Sequence, residues 1–170
     1  MAVRPIRLLG DPVLRRRAKR VPQVDAFIQR LIDDMIDSMR EATGVGLAAP
    51  QIGVSLRVIV IEVPGEEVVA LINPEIVKRS GQRQLGEGCL SIPGYRAEVQ
   101  RSVSVAVKGL DRQGRSVRIK AKDDLLAHAL EHEIDHINGT LYIDHLESLD
   151  ELIPIEPAPG EEEEEVTAGP

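Results

Sequence analysis

The sequence contains very few aromatic residues. Phe, Trp and Tyr together make up 2% of the 170 residues, and Trp is absent. RNA-binding surfaces commonly stack bases on aromatic rings, so this composition does not favour a dedicated RNA-binding protein. Hydrophobic residues nevertheless make up 42% of the chain, which predicts one packed domain with a core of aliphatic side chains.

The chain also contains only one cysteine, Cys89, which excludes an intramolecular disulfide. No segment approaches the roughly 18 apolar residues of a membrane span, and the first residues do not resemble a signal peptide. We therefore expect a cytoplasmic protein that makes no membrane contact.

The negative charge is concentrated at the C-terminus. The net charge is −7, but residues 154–170 contain six glutamates and no Lys or Arg, which leaves 22 acidic and 21 basic residues elsewhere. Because the rest of the chain has a net charge close to zero, we expect no sequence-specific binding of nucleic acid. The composition indicates a catalytic domain over residues 1–153 and a disordered acidic tail over residues 154–170. A basic cluster near the N-terminus is typical of a solvated face, with ribosomal RNA contact as the alternative; it comprises Arg15, Arg16, Arg17, Lys19 and Arg20.

Two helices are predicted. The first begins after Asp25 and ends near Gly44, and Phe27 can join its apolar face. That face consists of Ile28, Leu31, Ile32, Met35, Ile36 and Met39. The second helix begins after Asp123 or Asp124, either of which can cap it, and runs to Asn138 and Gly139.

The remaining patterns predict strands and turns. Strand candidates are 56–63 and 68–72, and a hairpin is expected around a turn at 111–114 because apolar residues alternate on both sides of it. The segment 44–51 is predicted to be a loop.

The clearest chemical signal is the segment His132–His136, which reads His-Glu-Ile-Asp-His. On a helix, residues four apart lie on one face, so both imidazoles can reach one cation. Glu133 is then placed to contact a water bound to that cation. A divalent ion lowers the pKa of bound water to roughly 7, so these residues alone indicate amide hydrolysis.

Two histidines leave a catalytic metal in need of a third ligand. A metzincin would require His at position 142, where this chain has Tyr142, and a thermolysin-like site would use Glu147 or Glu151. Cys89 is the better candidate, although a lone cysteine is by default a buried small hydrophobe. It lies in a Gly-rich segment that permits close approach, and one Cys with two His leaves a fourth position open.

Three segments together resemble the signature motifs of the peptide deformylase family. They are Gly44–Gln51, Glu87–Ser91 and His132–His136, in the family's order and at similar separations. The resemblance covers about residues 4–150. It implies an α+β fold, with antiparallel β-sheets around a central metal-binding helix and an N-terminal amphipathic helix.

The resemblance also implies roles for individual residues. Cys89, His132 and His136 would hold one divalent ion, most often Fe²⁺, with Zn²⁺ as a substitute. Glu133 would be the general acid and base, while the Gln51 amide and the Leu90 backbone N–H would stabilise the oxyanion. The backbone at Val45 and Gly46 would pair with the substrate, and the methionine pocket would be lined by Val45, Leu125, His128 and Ala129.

The implied activity is removal of the N-formyl group from the N-terminal methionine of nascent polypeptides, with release of formate. The implied binding partners are formyl-Met nascent peptides. We expect a monomer, with ribosome contact as the alternative interpretation of the basic cluster. Two positions depart from the usual pattern. Glu131 replaces a common Gln and is expected to be outward-facing or behind the ligands, and His128 introduces a polar side chain where apolar ones are common.

Three alternatives remain at this point. In a zinc-dependent peptidase, Cys89 would have no role in the site. A thiol hydrolase would use Cys89 as a nucleophile and would stay active in the presence of a chelator. A non-catalytic ribosome-associated binding protein would release no formate.

Deleting residues 156–170 is expected to leave formate release nearly intact, because the tail carries no residue of the predicted site. Formate release from a formyl-Met peptide by the full and shortened chains tests this. A loss greater than about tenfold, or roughly 1.4 kcal/mol, would contradict the prediction.

Overall fold

A computed structural model describes residues 2–155; Met1 and residues 156–170 lie outside the described part. The predicted tail therefore falls mostly outside it. Pro154 and Ile155, which the composition assigned to the tail, belong to a short strand and the residue after it. Among residues 2–155, no helix is both long and apolar enough to cross a membrane.

Both predicted helices are present. Helix α1 spans Ala26–Glu41, and the Asp25 side chain caps it by accepting a hydrogen bond from the backbone N–H of Ile28 at 3.1 Å. Helix α2 spans Leu125–Ile137, and Asp124 caps it in the same way by accepting from the N–H of Ala127 at 2.8 Å. These caps satisfy N–H groups that have no partner within the helix.

The strands form two antiparallel sheets. In chain order they are β1 (Gly46–Ala48), β2 (Val58–Ile61), β3 (Val69–Ser80), β4 (Arg83–Cys89), β5 (Ile92–Arg101), β6 (Ser104–Leu110), β7 (Ser116–Lys122) and β8 (Ile153–Pro154). The five-stranded sheet has the order β1-β2-β3-β6-β7, and the three-stranded sheet has the order β4-β5-β8. Short 3-10 turns occur at Pro12–Arg15, Ala49–Ile52, Tyr142–His145 and Leu149–Glu151. The architecture is α+β, as expected.

The five-stranded sheet is buried between the two helices. On β2, Ile59 and Ile61 pack with the cluster that contains α2, while Val58 and Val60 pack with the cluster that contains α1. A strand covered on both faces reads as a continuous apolar run, which explains the sequence of β2. Consequently α2 is enclosed by protein along most of its length, and its polar residues face a buried interior.

Two expectations about local structure were wrong. The segment 44–51 contains β1 and a 3-10 turn instead of a simple loop, and the strand expected at 68–72 extends to Ser80 as β3. The sequence patterns gave no prediction for β4 and β5. Exposed charged and glycine residues interrupt the apolar alternation in these strands, so their pairing depends on distant partners. Phe27 is 48% exposed and does not join the buried face of α1.

Met35 and Phe27 provide a matched test of the α1 packing. Met35 is fully buried, so Met35→Ala should lower the free energy of unfolding by about 2–5 kcal/mol through lost contacts and a cavity. Phe27→Ala should cost much less. Urea unfolding of both variants measures the difference, and equal losses would contradict this account of the packing.

Candidate metal centre

The two histidines of α2 lie on its enclosed face. Their Nε2 atoms are 3.2 Å apart, and both side chains are largely or fully buried. His132 donates from Nδ1 to Glu87 at 2.6 Å, so its Nε2 is directed toward His136. A partner on Nδ1 that fixes the orientation of Nε2 is typical of a metal-binding histidine.

Cys89 lies opposite these histidines, at the end of β4. Its Sγ is 3.2 Å from His136 Nε2, and the ligand atoms of Cys89, His132 and His136 all lie within 4.8 Å of one another. Donors bound to one tetrahedral cation at 2.0–2.3 Å would lie about 3.3–3.7 Å apart. The three groups therefore fit a single divalent metal ion.

The charges around this triad also favour a cation. Burial opposes protonation of His132, but the carboxylates of Glu133 and Glu87 and the sulfur of Cys89 raise its pKa well above the ordinary value. Burial lowers the pKa of His136 and keeps that imidazole neutral, as a ligand must be. A metal cation at this position would supply the positive charge that its surroundings stabilise.

Glu87 positions His132 through the hydrogen bond to its Nδ1. Arg101 donates to its two carboxylate oxygens at 2.8 and 2.6 Å, and His128 Nε2 lies 2.5 Å from Oε1. Burial favours the protonated form of Glu87, but the hydrogen bonds from Arg101, His128 and His132 hold its pKa far below the usual range. Glu87 is therefore a fixed anion that orients His132.

The network continues away from the triad. Arg101 also donates to Asp135 at 2.7 Å, and His145 Nε2 lies 2.8 Å from the same carboxylate. The sequence patterns alone do not indicate Glu87, Arg101 or Asp135 as positioning groups. Glu87 and Asp135 lie inside the signature motifs, whereas nothing in the sequence pairs Arg101 with either of them.

Glu133 lies beside the triad in a different environment. It is buried, and its Oε1 has no hydrogen-bond partner among residues 2–155. Burial raises the pKa of Glu133 to about 7. A side chain at position 46 would begin 2.5 Å from Glu133 Oε2, so Gly46 is required for β1 to approach this carboxylate.

Gln51 is oriented by two hydrogen bonds. Its Oε1 accepts from the Ala48 N–H at 3.0 Å, and its Nε2 donates to Ser91 Oγ at 3.1 Å and lies 3.7 Å from Cys89 Sγ. Leu90 follows Cys89 directly, and its side chain approaches Gly44. Gln51 and Leu90 line the same cavity as Cys89.

A cavity of about 370 Å³ opens beside the triad, between β1 and the β4–β5 hairpin. Its walls include all the residues that the resemblance assigned to substrate binding: Val45, Gly46, Leu125, His128 and Ala129. His128 reaches both the cavity and Glu87, so it is not an ordinary exposed helix residue. Tyr95 and Ile155 also line the cavity, although no sequence pattern indicated either of them.

The other candidate third ligands, Glu147 and Glu151, are exposed after α2. Tyr142, at the position where a metzincin would have His, is buried with its ring stacked 6.5 Å from that of His132. Among residues 2–155, the only three-ligand group of this kind is Cys89 with the two histidines. Glu131 is not outward-facing: it is buried and accepts from the Ser102 N–H at 2.7 Å, which fixes the end of β5 against α2.

Known proteins share both the sequence and the fold of this chain. The family model described as polypeptide deformylase matches residues 3–152 of the chain. The chain belongs to the peptide deformylase family. Peptide deformylase of Dehalococcoides mccartyi strain CBDB1 is 58% identical over 158 residues, covering 92% of this chain and 94% of that one. That of Thermomicrobium roseum is 50% identical over 177 residues, covering 99% and 98%.

Solved structures of peptide deformylases have the same fold. The crystal structure from Legionella pneumophila superposes with a TM-score of 0.85 at 49% identity, covering 88% of this chain and 89% of that chain. A structure from Synechococcus elongatus in complex with actinonin has a TM-score of 0.82 at 42% identity, covering 86% and 80%. The chain is thus a metal-dependent hydrolase that removes the N-formyl group from formyl-Met nascent peptides.

Replacing Glu133 by Gln should make the metal-free protein more stable at high pH. The folded pKa of Glu133 is about 7, above its ordinary value of 4.5, so between these values the folded state binds a proton that the unfolded state lacks. Stability therefore falls as the pH rises through this window, and the loss is complete above about pH 7. Glutamine cannot ionise and avoids this loss.

Thermal unfolding of the two metal-free proteins at several pH values tests this. The advantage of Glu133→Gln should be largest near pH 8 and should fade below about pH 4.5. A difference in Tm that stays constant across the range would contradict the assignment of the raised pKa to Glu133.

Proposed function

We propose that Cys89, His132 and His136 hold one divalent cation and that Glu133 is the general acid and base of the deformylation. The observation that carries this proposal is the convergence of one sulfur and two imidazole nitrogens within 4.8 Å, beside a buried carboxyl group. The three donors leave a fourth coordination position for the reaction, as in catalytic metal sites.

Glu133 has the properties that proton transfer at neutral pH requires. A pKa of about 7 lets the carboxyl group both take and return a proton near the working pH. A cation bound here would lower the pKa of a water molecule and polarise the formyl carbonyl. Glu133 would take the proton from that water and later pass it to the leaving amine of the methionine.

Gln51 and Leu90 would stabilise the negative charge that develops on the formyl oxygen. The Gln51 amide is held beside Cys89 by Ser91 and by the Ala48 N–H, so its donor position is set before the substrate binds. The Leu90 backbone N–H would provide the second donor. Such preorganised donors typically contribute about 10²–10³ in rate each.

The peptide would bind along β1. This strand is at the edge of its sheet and pairs with β2 on one side, while its other side pairs with no strand among residues 2–155. An extended peptide can therefore add to it through the backbone of Val45 and Gly46. The methionine side chain would lie in the adjoining cavity, against Val45, Leu125, His128 and Ala129.

Fe²⁺ is the proposed native metal and Zn²⁺ the alternative, since thiolate and imidazole ligands suit both. Because nascent chains are the substrate, we propose that the enzyme acts in the cytoplasm, as a monomer near the ribosome. The exposed basic side chains of Arg16, Arg17 and Arg20 offer a surface for ribosomal RNA. Residues 1–153 are proposed as the catalytic domain, with an acidic tail after it.

Metal analysis combined with formate release tests these assignments. After anaerobic purification we expect one metal ion per chain, predominantly iron, and formate release that is lost on chelation and restored by Fe²⁺. Cys89→Ala should lose the metal. Glu133→Ala should retain the metal and lose at least about 100-fold in kcat, because the proton carrier is gone and the ligands remain.

Comparison of Cys89→Ala with Glu133→Ala distinguishes the loss of a metal ligand from the loss of the acid/base group. A Glu133→Ala enzyme with normal activity would refute the role of this carboxyl group. A Cys89→Ala enzyme that keeps one tightly bound metal would refute the ligand set.

A further inference from the structure

One face of the five-stranded sheet carries most of the lysines of the chain. The sequence contains five lysines, and four of them lie on β3, β6 and β7. Ala106 is in register with both Lys78 and Lys120, and Lys108 is in register with Arg118. Residues in register, and residues two apart along one strand, point to the same side of a sheet. We call this surface the basic face; it comprises Lys78, Lys108, Arg118, Lys120 and Lys122.

The basic face is exposed, and most of its cations lack an ionic partner. All five side chains are exposed. Helix α1 lies on this side of the sheet, but its apolar cluster extends only to Ile72 and Leu110 and, within the described part of the chain, includes no residue of β7. Among residues 2–155, Lys108 pairs with Glu75 at 3.5 Å and the other four cations form no ion pair. Like charges on neighbouring strands repel, so an anionic partner would stabilise this face.

The chain itself contains a segment of the opposite charge. Residues 161–165 are five consecutive glutamates, which we call the acidic segment, and residues 156–170 contain no Lys or Arg. Five carboxylates match the five cations of the basic face in number. A segment tethered by a short linker acts at an effective concentration of about 1 mM, so it competes well with anions that are free in solution.

The chain leaves the described residues within reach of the basic face. Ile155 and Leu125 line the same cavity, and Leu125 follows Lys122 by three residues. Consecutive Cα atoms are about 3.8 Å apart, so the Cα of Lys122 lies within about 11 Å of that of Leu125. The six residues from Ile155 to Glu161 can span up to about 20 Å, and the next four add up to about 14 Å. This length is sufficient to bring the glutamates to the basic face.

We propose that the acidic segment docks on the basic face of its own chain. The contact is electrostatic, because the described residues that line the groove over Ala106 are mostly Lys, Arg, Ser and Ala and include no aromatic ring on which a base could stack. This inference goes beyond the proposed function, since no residue of the basic face lines the cavity beside the metal triad. The docked segment occupies a surface that would otherwise attract other polyanions.

Zero-length crosslinking of the full chain tests the contact. A carbodiimide joins a carboxyl group to a lysine amine where the two touch, and mass spectrometry of the monomer band identifies the joined pairs. Lys19 is the only lysine outside the basic face and is also exposed, so it is the internal control. At about 0.01 M salt, the acidic segment should crosslink to the basic face at least about tenfold more than to Lys19. At about 0.5 M salt the crosslinks should fall at least about fivefold, because the charges are screened.

Reversing two charges of the basic face should weaken the docking. In the variant that combines Lys120→Glu with Lys122→Glu, crosslinking of the acidic segment to Lys78 and Lys108 should fall at least about fivefold, because repulsion replaces attraction. The matched control Lys19→Glu should leave this yield within about twofold. The Tm of both variants shows whether they fold.

Three results would overturn the inference. The first is a preference of the acidic segment for Lys19, or the absence of any crosslink to the basic face. The second is crosslinking only between two copies of the chain. The third is loss of the crosslinks on addition of about 10 µM oligouridylate, since only a face that prefers RNA would release the tethered segment at that concentration.

A variant of the acidic segment decides the matter if the charge-reversed chain fails to fold. It keeps Glu165 and carries the four substitutions Glu161→Gln, Glu162→Gln, Glu163→Gln and Glu164→Gln. Crosslinking of Glu165 to the basic face should fall at least about fivefold, because most of the attraction is lost while every described residue is unchanged. An unchanged yield would contradict the docking.

Discussion

The geometry of the candidate metal centre depends on the buried ion pair between Glu87 and Arg101. Their side chains are only 2% and 3% exposed, and burying two such charges is costly unless every polar group finds a partner. Here Arg101 contacts both oxygens of Glu87, and the remaining positions of the carboxylate accept from His132 and His128. Because Glu87 and Arg101 belong to β4 and β5 and the histidines to α2, this pair connects the smaller sheet to the central helix.

The two buried glutamates differ because their neighbours differ. Glu87 has a guanidinium and two imidazoles around it, so it stays ionised despite burial. Glu133 has an oxygen without a partner among the described residues, so burial dominates and raises its pKa to about 7. One carboxylate is thereby fixed as an anion that holds a ligand, while the other can exchange protons at neutral pH. The same type of residue performs two tasks because its surroundings separate the two pKa values.

The sheets define the shape of the cavity beside Cys89 and His132, in which we propose that the substrate binds. The edge strand β1 provides one wall, and the β4–β5 hairpin extended by β8 provides the other. Glycine is needed at position 46, where β1 approaches the carboxylate of Glu133, because a side chain there would collide with Glu133. The last described residue, Ile155, which composition assigned to an acidic tail, thus lines the cavity.

The sequence by itself determined the two helices, the β6–β7 hairpin and the pair of histidines, because periodicity, caps and a four-residue spacing are local properties. It proposed Cys89 as the third ligand, but only the folded chain brings that sulfur 3.2 Å from His136. It could not identify Arg101 as the partner of Glu87, nor the full extent of β3, β4 and β5. Those features arise from pairing between distant segments, and no spacing along the chain encodes which segments will meet.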